Sequence, residues 1–222
     1  MIKHIHLDEC DSTQDRLKEQ LNNPDHSEQI LVSTENQISG RGRGEKKWEA
    51  LPGSLCFSFN IKPHSKFSFT ALEVSVILTN FFELKGQSLK LKWPNDLWNN
   101  ELKKCGGILI QGNQSNFLAG IGLNLFSDNS EFGGIFPEAF DLDKKSWARE
   151  IAEFILSNRY ADTELLKRDW LSRCGHLNQM VKIIEGNEIT EGIFQGLGDH
   201  GEAEICTDGK INHIYNGSLR FV

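Results

Sequence analysis

Four short segments hold residue types that could do chemistry. The first is Gly40-Arg41-Gly42-Arg43-Gly44-Glu45-Lys46-Lys47-Trp48. Residues 39–48 carry four positive charges and one negative, a local excess inside a chain of net charge −7. Glycines let a backbone approach a ligand closely and aim N–H groups at an anion. Arginines add forked donors that suit carboxylate or phosphate, and Trp48 could stack on a base. The same residues also read as a solvated surface loop or an RGG-like RNA contact. They match neither G-x-x-x-x-G-K-[ST] nor a strand–G-x-G-x-x-G–helix unit.

The second segment is Lys90-Leu91-Lys92-Trp93-Pro94-Asn95-Asp96. Pro, Asn and Asp are ordinary turn residues. They also place the Asp96 carboxylate at a strand end, where it could orient an amine or a metal-bound phosphate. The third is Lys103-Lys104-Cys105-Gly106-Gly107-Ile108-Leu109-Ile110, a compact cation ahead of a glycine pair and a buried strand. Cys105 has no histidine near it in sequence and reads as a buried inert thiol. The fourth is Ala119-Gly120-Ile121-Gly122-Leu123-Asn124-Leu125, whose alternating glycines leave one face of a strand bare. That face is either a packing surface under a helix or a pocket floor with Asn124 at its edge. His4 and His6 share a strand face without a third ligand, and Ser12-Thr13 is first of all a helix N-cap. No Ser-His-Asp arrangement can be argued.

The elements that must position these residues follow from periodicity. A strand is expected over 2–7, a helix from Ser12 or Thr13 with Leu17 and Leu21 on one face, and a stop at Asn22-Asn23-Pro24. Ile30-Leu31-Val32 reads as a strand and 39–48 as a loop. Leu55, Phe57, Phe59 and Ile61 alternate with polar residues, the period of a half-buried strand. Two apolar faces between Phe67 and Leu84 predict a helix buried on most sides. Three short strands (Leu89–Trp93, Gly107–Gln111, Phe117–Leu125) and two helices (Trp147–Leu156, Glu164–Arg173) follow. Residues 180–222 alternate in short strands between glycine turns, which predicts a small β-barrel with its boundary near Cys174–Asn178. The fold class is α+β with a mixed sheet in the larger part.

Composition narrows the classes. At 222 residues, 38% hydrophobic and 25% charged, the chain is not a disordered tail. Its acidity makes it a poor general binder of nucleic acid or anionic membrane. No apolar run approaches the ~18 residues of a membrane span, and the first eight residues show no export signal. Five scattered cysteines without a C-x-x-C pair point to free thiols in a reducing cytoplasm.

Taken in order, the segments resemble one family, the biotin–protein ligases. The resemblance rests on Asp11-Ser12-Thr13-Gln14, Gln37-x-x-Gly40-Arg41-Gly42-Arg43 with Trp48, Lys92-Trp93-Pro94-Asn95-Asp96, Lys104-x-Gly106-Gly107-Ile108-Leu109, and Gly120-Ile121-Gly122-Leu123-Asn124. It implies a class II synthetase-like catalytic domain over 1–175, a mixed sheet flanked by helices, and an SH3-like barrel over 176–222. The implied reaction has two steps. Biotin and Mg-ATP give biotinyl-5′-AMP, and a lysine of a biotin carboxyl carrier protein then takes the biotinyl group. The resemblance puts Ser12, Thr13, Gln14, Gln37, Gly40, Arg41, Gly42, Arg43, Lys104, Gly107, Leu109, Gly120 and Gly122 around biotin. It puts Arg41, Arg43, Trp48, Asn95, Lys104 and Asn124 around the adenylate. Arg43, Lys104 and Asp96 take the catalytic roles, Asp96 orienting the acceptor amine, and no protein side chain is assigned to a metal.

The sequence departs from the family pattern in places. Glu45 and Lys46 stand where the family has glycine and arginine, and Gly217-Ser218-Leu219-Arg220 is a shortened form of the family's ending. Only 11 residues precede Ser12, too few for the DNA-binding domain of some members, so a ligase-only type without nucleic-acid or membrane partners is expected, monomeric or homodimeric. The alternatives are a non-catalytic biotin sensor, a lipoate or octanoate ligase or transferase of the same fold, and an RNA-binding protein using the arginine–glycine segment.

Overall fold

The computed structural model describes residues 2–22, 29–44, 46–113, 116–129 and 131–222. Glu45 and the expected stop at Asn23-Pro24 lie outside the described residues. A seven-stranded mixed sheet forms the larger part. β1 (Ile2–Cys10) pairs in parallel with β2 (Gln29–Gln37). Two two-residue strands, β3 (Gly40–Arg41) and β4 (Lys47–Trp48), fold the arginine–glycine segment into a small hairpin. The sheet continues with β5 (Ser54–Ile61), β6 (Lys90–Lys92), β7 (Asp96–Trp98), β8 (Lys104–Asn113) and β9 (Asn116–Asn124), in the spatial order β1-β2-β5-β9-β8-β7-β6. Every neighbour after β2 is antiparallel.

Both faces of this sheet are covered. Helix α1 (Thr13–Leu21) starts at Ser12, whose side chain accepts from the Asp15 N–H, and buries Leu17 against Ile30, Val32 and Leu118. On the other face lie α2 (Thr70–Leu84), α3 (Lys144–Ser157) and α4 (Thr163–Arg173). Asp143 and Asp162 cap the last two by accepting backbone N–H bonds. The expectation of a half-buried β5 is therefore corrected. Leu55, Phe57, Phe59 and Ile61 enter the main core, but Cys56 and Ser58 on the opposite face are buried too, beneath α1 and the neighbouring cleft.

One further expectation is refined and another changes. A strand, β6, does run into the Pro-Asn turn and Asp96 does stand at a strand end, but as the first residue of β7, a strand too short to show a period in sequence. Phe67–Leu84, a 3₁₀ turn (Phe67–Phe69) followed by α2, has a mean hydropathy of 1.3 over 18 residues, long and apolar enough to span a membrane by length and composition. It is a core helix here: eleven of the fifteen α2 residues are buried.

The smaller part is a five-stranded antiparallel sheet of β10 (Met180–Glu185), β11 (Glu188–Leu197), β12 (Ala203–Thr207), β13 (Lys210–Ile214) and β14 (Ser218–Phe221), ordered β13-β12-β11-β10-β14. Among the described residues β13 and β14 do not pair, so the sheet stays open where a closed barrel was expected. Its apolar face is closed from outside instead. Val181, Ile183, Phe194, Ala203, Ile205 and Leu219 share one buried cluster with Leu166 and Trp170 of α4 and with the core of the larger sheet.

Two histidines make this fold sensitive to acid. His176 is fully buried, its ring 4.3 Å from that of Phe194, and among the described residues its Nε2 has no partner. Burial pushes its pKa down to about 3. His4 falls to about 4, chiefly through burial, with Arg149, His6 and Lys145 adding to it. Both stay neutral in the folded protein while the unfolded chain takes up protons below the ordinary value of 6.5. Their contribution is complete above that pH and is lost as pH falls towards 4 and 3. Urea unfolding at a series of pH values is expected to show the midpoint falling through this window. His176→Phe is expected to flatten the fall; an unaltered slope in that variant would refute the assignment.

Candidate functional site

Strand register builds a bare floor at the sheet's centre. Gly107 of β8 pairs with Gly122 of β9, Leu109 with Gly120, and Gly122 and Gly120 pair in turn with Cys56 and Ser58 of β5. The cleft above this floor holds about 970 Å³, within the range of small-molecule sites. Trp48 lies in it. A methyl on Gly122 would overlap the indole, and one on Gly107 would stand 3.4 Å from it. Glycine at 122 is thus required by close approach. The indole Nε1 is buried, and among the described residues no nitrogen or oxygen partners it.

One end of the floor is polar and neutral. The turn from β1 into α1 buries Ser12, Thr13 and Gln14. Gln37 at the end of β2 accepts from the Thr13 backbone N–H at 2.9 Å and from its hydroxyl at 3.2 Å. Thr13 Oγ1 also lies 2.8 Å from Ser58 Oγ. Gln14 reaches over Gly120, its Nε2 donating to the carbonyls of Leu109 and Leu118. Hydroxyl and amide groups in this arrangement can both give and accept hydrogen bonds to a polar ring.

The other end is cationic around one carboxylate. Asp96 sits between β6 and β8, and a lysine reaches it from each side. Lys104 Nζ is 2.7 Å from Oδ1, and Lys92 Nζ is 3.7 Å from Oδ2. Lys104 Nζ also lies 5.7 Å from the Trp48 ring. Arg43 donates to the Gly217 carbonyl at 3.3 Å. Burial weakens its hold on its proton, and Asp96 opposes that shift. Burial likewise lowers the pKa of Lys92; Lys104 and Lys46 add to this, and Asp96 opposes it. Three cations therefore share one close carboxylate, an excess that suits anionic ligands.

The cleft wall brings together Ser12, Thr13, Gln14, Gln37, Arg41, Gly42, Arg43, Trp48, Asn95, Asp96, Lys104, Gly107, Leu109, Gly120 and Gly122. Arg41 stands at the rim, paired with Asp15 at 2.8 Å. Asn95 spends its amide on the Ile108 carbonyl at 2.6 Å and so fastens the turn to β8. Two sequence candidates are placed off the wall. Asn124 is buried and accepts from Ser54 Oγ at 2.8 Å. Gly40 is buried where a side chain would strike the Trp48 backbone and the Gln37 amide. Cys105 is fully buried, its thiol pushed up to about 12. His4 and His6 each lie 2.7 Å from Ser33 Oγ, and His6 also pairs with Glu35, away from the cleft.

Sequence reasoning gave no site role to Ser58, to Lys92 within its motif, or to the segment Asn216–Arg220, all on the wall. Ser58 carried a signal: it is on the polar face of an alternating strand. The C-terminal segment carried a shortened family motif but no sign of its place, which depends on how the smaller sheet docks. It bonds the arginine–glycine segment twice, at Arg43 and through Lys46 Nζ to Ser218 Oγ at 2.5 Å.

Comparison with known proteins agrees with this geometry. A profile described as "Biotin/lipoate A/B protein ligase family" matches residues 7–127, and one described as "Biotin protein ligase C terminal domain" matches residues 176–218. Biotin--protein ligase 2 of Arabidopsis thaliana is 35% identical over 107 residues, covering 43% of this chain and 32% of that protein. The chain thus spans about a third of that relative's length. Biotin--[acetyl-CoA-carboxylase] ligase of Paracoccus denitrificans is 26% identical over 207 residues, covering 80% of this chain and 84% of that one. The solved structure of biotin protein ligase from Aquifex aeolicus in complex with biotin and ATP matches with a TM-score of 0.80 and 28% identity, covering 99% of both chains.

Proposed function

The chain belongs to the biotin/lipoate A/B protein ligase family, and on that premise we propose that it is an ATP-dependent biotin–protein ligase. The observation that carries this reading is the cleft itself: a bare floor with neutral hydrogen-bonding groups at one end and Arg43, Lys92 and Lys104 around Asp96 at the other. Biotin's ureido ring, with two donors and an acceptor, suits Ser12, Thr13, Gln37 and Ser58. Its carboxylate then points to the cationic end.

Joining that carboxylate to the α-phosphate of ATP brings two anions together, so cations must screen both. Arg43 and Lys104 do this in the first step, giving biotinyl-5′-AMP and pyrophosphate. Asp96 orients the lysine of a biotin carboxyl carrier protein in the second, which leaves an amide and AMP. The arginine–glycine hairpin and Trp48 cover the anhydride and keep water from it. Mg²⁺ would arrive on the phosphates of ATP. Among the described residues, Asp96 and Glu131 are the carboxylates on the wall, and no group of three metal-ligating side chains gathers. That suits an ion held by one or two carboxylates and substrate oxygens. In this reading residues 1–175 bind substrates and do the chemistry, and 176–222 close the cleft. Five free cysteines fit a reducing compartment, the cytoplasm.

The test is pyrophosphate–ATP exchange on the purified protein with Mg²⁺, offering biotin, lipoate or octanoate. Exchange that requires biotin is the expected result. Exchange driven by lipoate or octanoate would move the substrate assignment to those acids. Biotin binding without any exchange would make the protein a sensor.

A further inference from the structure

The proposed second step has a requirement that Asp96 alone does not meet. The acceptor lysine is an ammonium in water and must lose a proton before it can attack. A lone buried carboxylate would attract that ammonium but also stabilise its protonated form, which opposes attack. In this chain the carboxylate is not alone. Oδ1 is bound by Lys104 at 2.7 Å. Lys92 stands 3.7 Å from Oδ2, close enough to exert its charge and longer than a full hydrogen bond. Among the described residues no donor comes within 3.5 Å of Oδ2, which leaves it an acceptor position, and Asp96 pairs across the sheet with the bare backbone of Gly107.

Lys92 cannot swing away easily. Its side chain is 19% exposed, and its ammonium is 5.1 Å from the Trp98 ring. It comes from the strand paired with Asp96, residue opposite residue. The charged and titratable groups facing it are Asp96, Lys104, Lys46 and, behind it, His176. Arg43 faces the same carboxylate.

Resting on the ligase reading above, we propose that Lys92 is a positioning residue for acyl transfer: it offsets the charge of Asp96, so that Oδ2 orients the acceptor amine without holding it protonated. The ammonium gives one proton to solvent before attack. Attack forms the amide C–N bond, the acyl C–O bond breaks with its electron pair leaving on the phosphate of AMP, and the second amine proton leaves to solvent.

The experiment compares wild type, Lys92→Gln and Lys92→Arg. Biotin-dependent pyrophosphate exchange reports the first step. Single-turnover transfer from enzyme-bound biotinyl-AMP to Nα-acetyl-lysine amide, followed from neutral to alkaline pH, reports the second. Hydroxylamine, an amine already neutral at neutral pH, serves as the control nucleophile. In Lys92→Gln the lysine-amide profile is expected to move to higher pH by about one unit, a roughly tenfold loss at neutral pH. This loss should exceed that in exchange and that with hydroxylamine, and Lys92→Arg should restore the profile. A profile that stays in place, or equal losses in exchange and transfer, overturns the role of Lys92. A wild-type protein without biotin-dependent exchange overturns the ligase reading and this assignment with it.

Discussion

Lys104→Gln is expected to slow adenylate formation by about 10²–10³-fold while leaving the protein folded. Glutamine keeps most of the reach and loses the charge. The charge matters because the first step presses a carboxylate against a phosphate. Two unit charges ~4 Å apart at an effective dielectric of ~20 repel by roughly 4 kcal/mol, which at ~1.4 kcal/mol per decade is nearly three orders of magnitude in rate. Lys104 Nζ stands over the floor, 5.7 Å from the Trp48 ring and 2.7 Å from Asp96 Oδ1. Its removal also leaves Asp96 screened only by Lys92 and Arg43 while it faces the same substrates. The side chain is 35% exposed, so the thermal midpoint should move by only a few degrees. Lys104→Arg keeps the charge and should recover part of the rate. The measurement is the exchange rate at saturating biotin and ATP. A loss below fivefold, or one confined to KM, would mean that Lys104 is the solvated lysine its local sequence also allows.

How much of this site could be read beforehand follows from the range over which each residue is positioned. The glycines and charges of 40–48, 92–96, 104–109 and 119–124 act through local backbone, and their segments could be picked out one at a time. What could not be read was register. Nothing local says that Gly107 faces Gly122 or that Gly120 faces Ser58, yet those pairings make the bare floor. Asn124 illustrates the limit. Next to Gly120 and Gly122 in sequence it looks like part of the floor, but it bonds Ser54 instead. The strand around β5 misled for a related reason. Alternation shows that two faces differ, not that the polar one is exposed. Here that face is covered by α1 and the cleft.

The smaller sheet shows the same distinction at domain scale. Its turns and strands were legible because each is local. Its closure was not, because the element that closes its apolar face is α4, which precedes it in the chain. The docking has consequences at the cleft. Trp93, two residues before Asn95, donates its indole N–H to the Gly201 carbonyl at 3.0 Å, and Gly201 adopts a φ of +75° that favours glycine. Arg43 and Lys46 meet Gly217 and Ser218 on another turn of the same sheet. Two walls of the cleft, carried by segments far apart in sequence, are thereby fixed to one body.

Arg159→Met is expected to destabilise the protein by about 3–5 kcal/mol, a large part of the ~5–15 kcal/mol that holds a typical domain folded. Glu73 lies on α2 with its side chain fully buried. Arg159 meets it with Nε on Oε1 at 2.8 Å and Nη2 on Oε2 at 2.5 Å. Nη1 donates to the Lys62 carbonyl, and the Tyr160 backbone N–H donates to Oε1 at 2.7 Å. With arginine gone, a buried carboxylate keeps a single backbone donor and no countercharge. For a chain of this size ~1 kcal/mol corresponds to about 2–4 °C, so the thermal midpoint should fall by roughly 10 °C. The diagnostic comparison is the double variant Glu73→Met/Arg159→Met, in which neither charge is buried. If the cost comes from stranding the carboxylate, the double variant melts well above Arg159→Met, even though it carries one more substitution. If Arg159 contributes mainly by tying together the chain around it, the double variant melts as low or lower. Calorimetry of the three proteins separates these outcomes. Exchange activity per folded molecule should be unchanged in both variants, because none of the atoms in this cluster reaches the cleft wall.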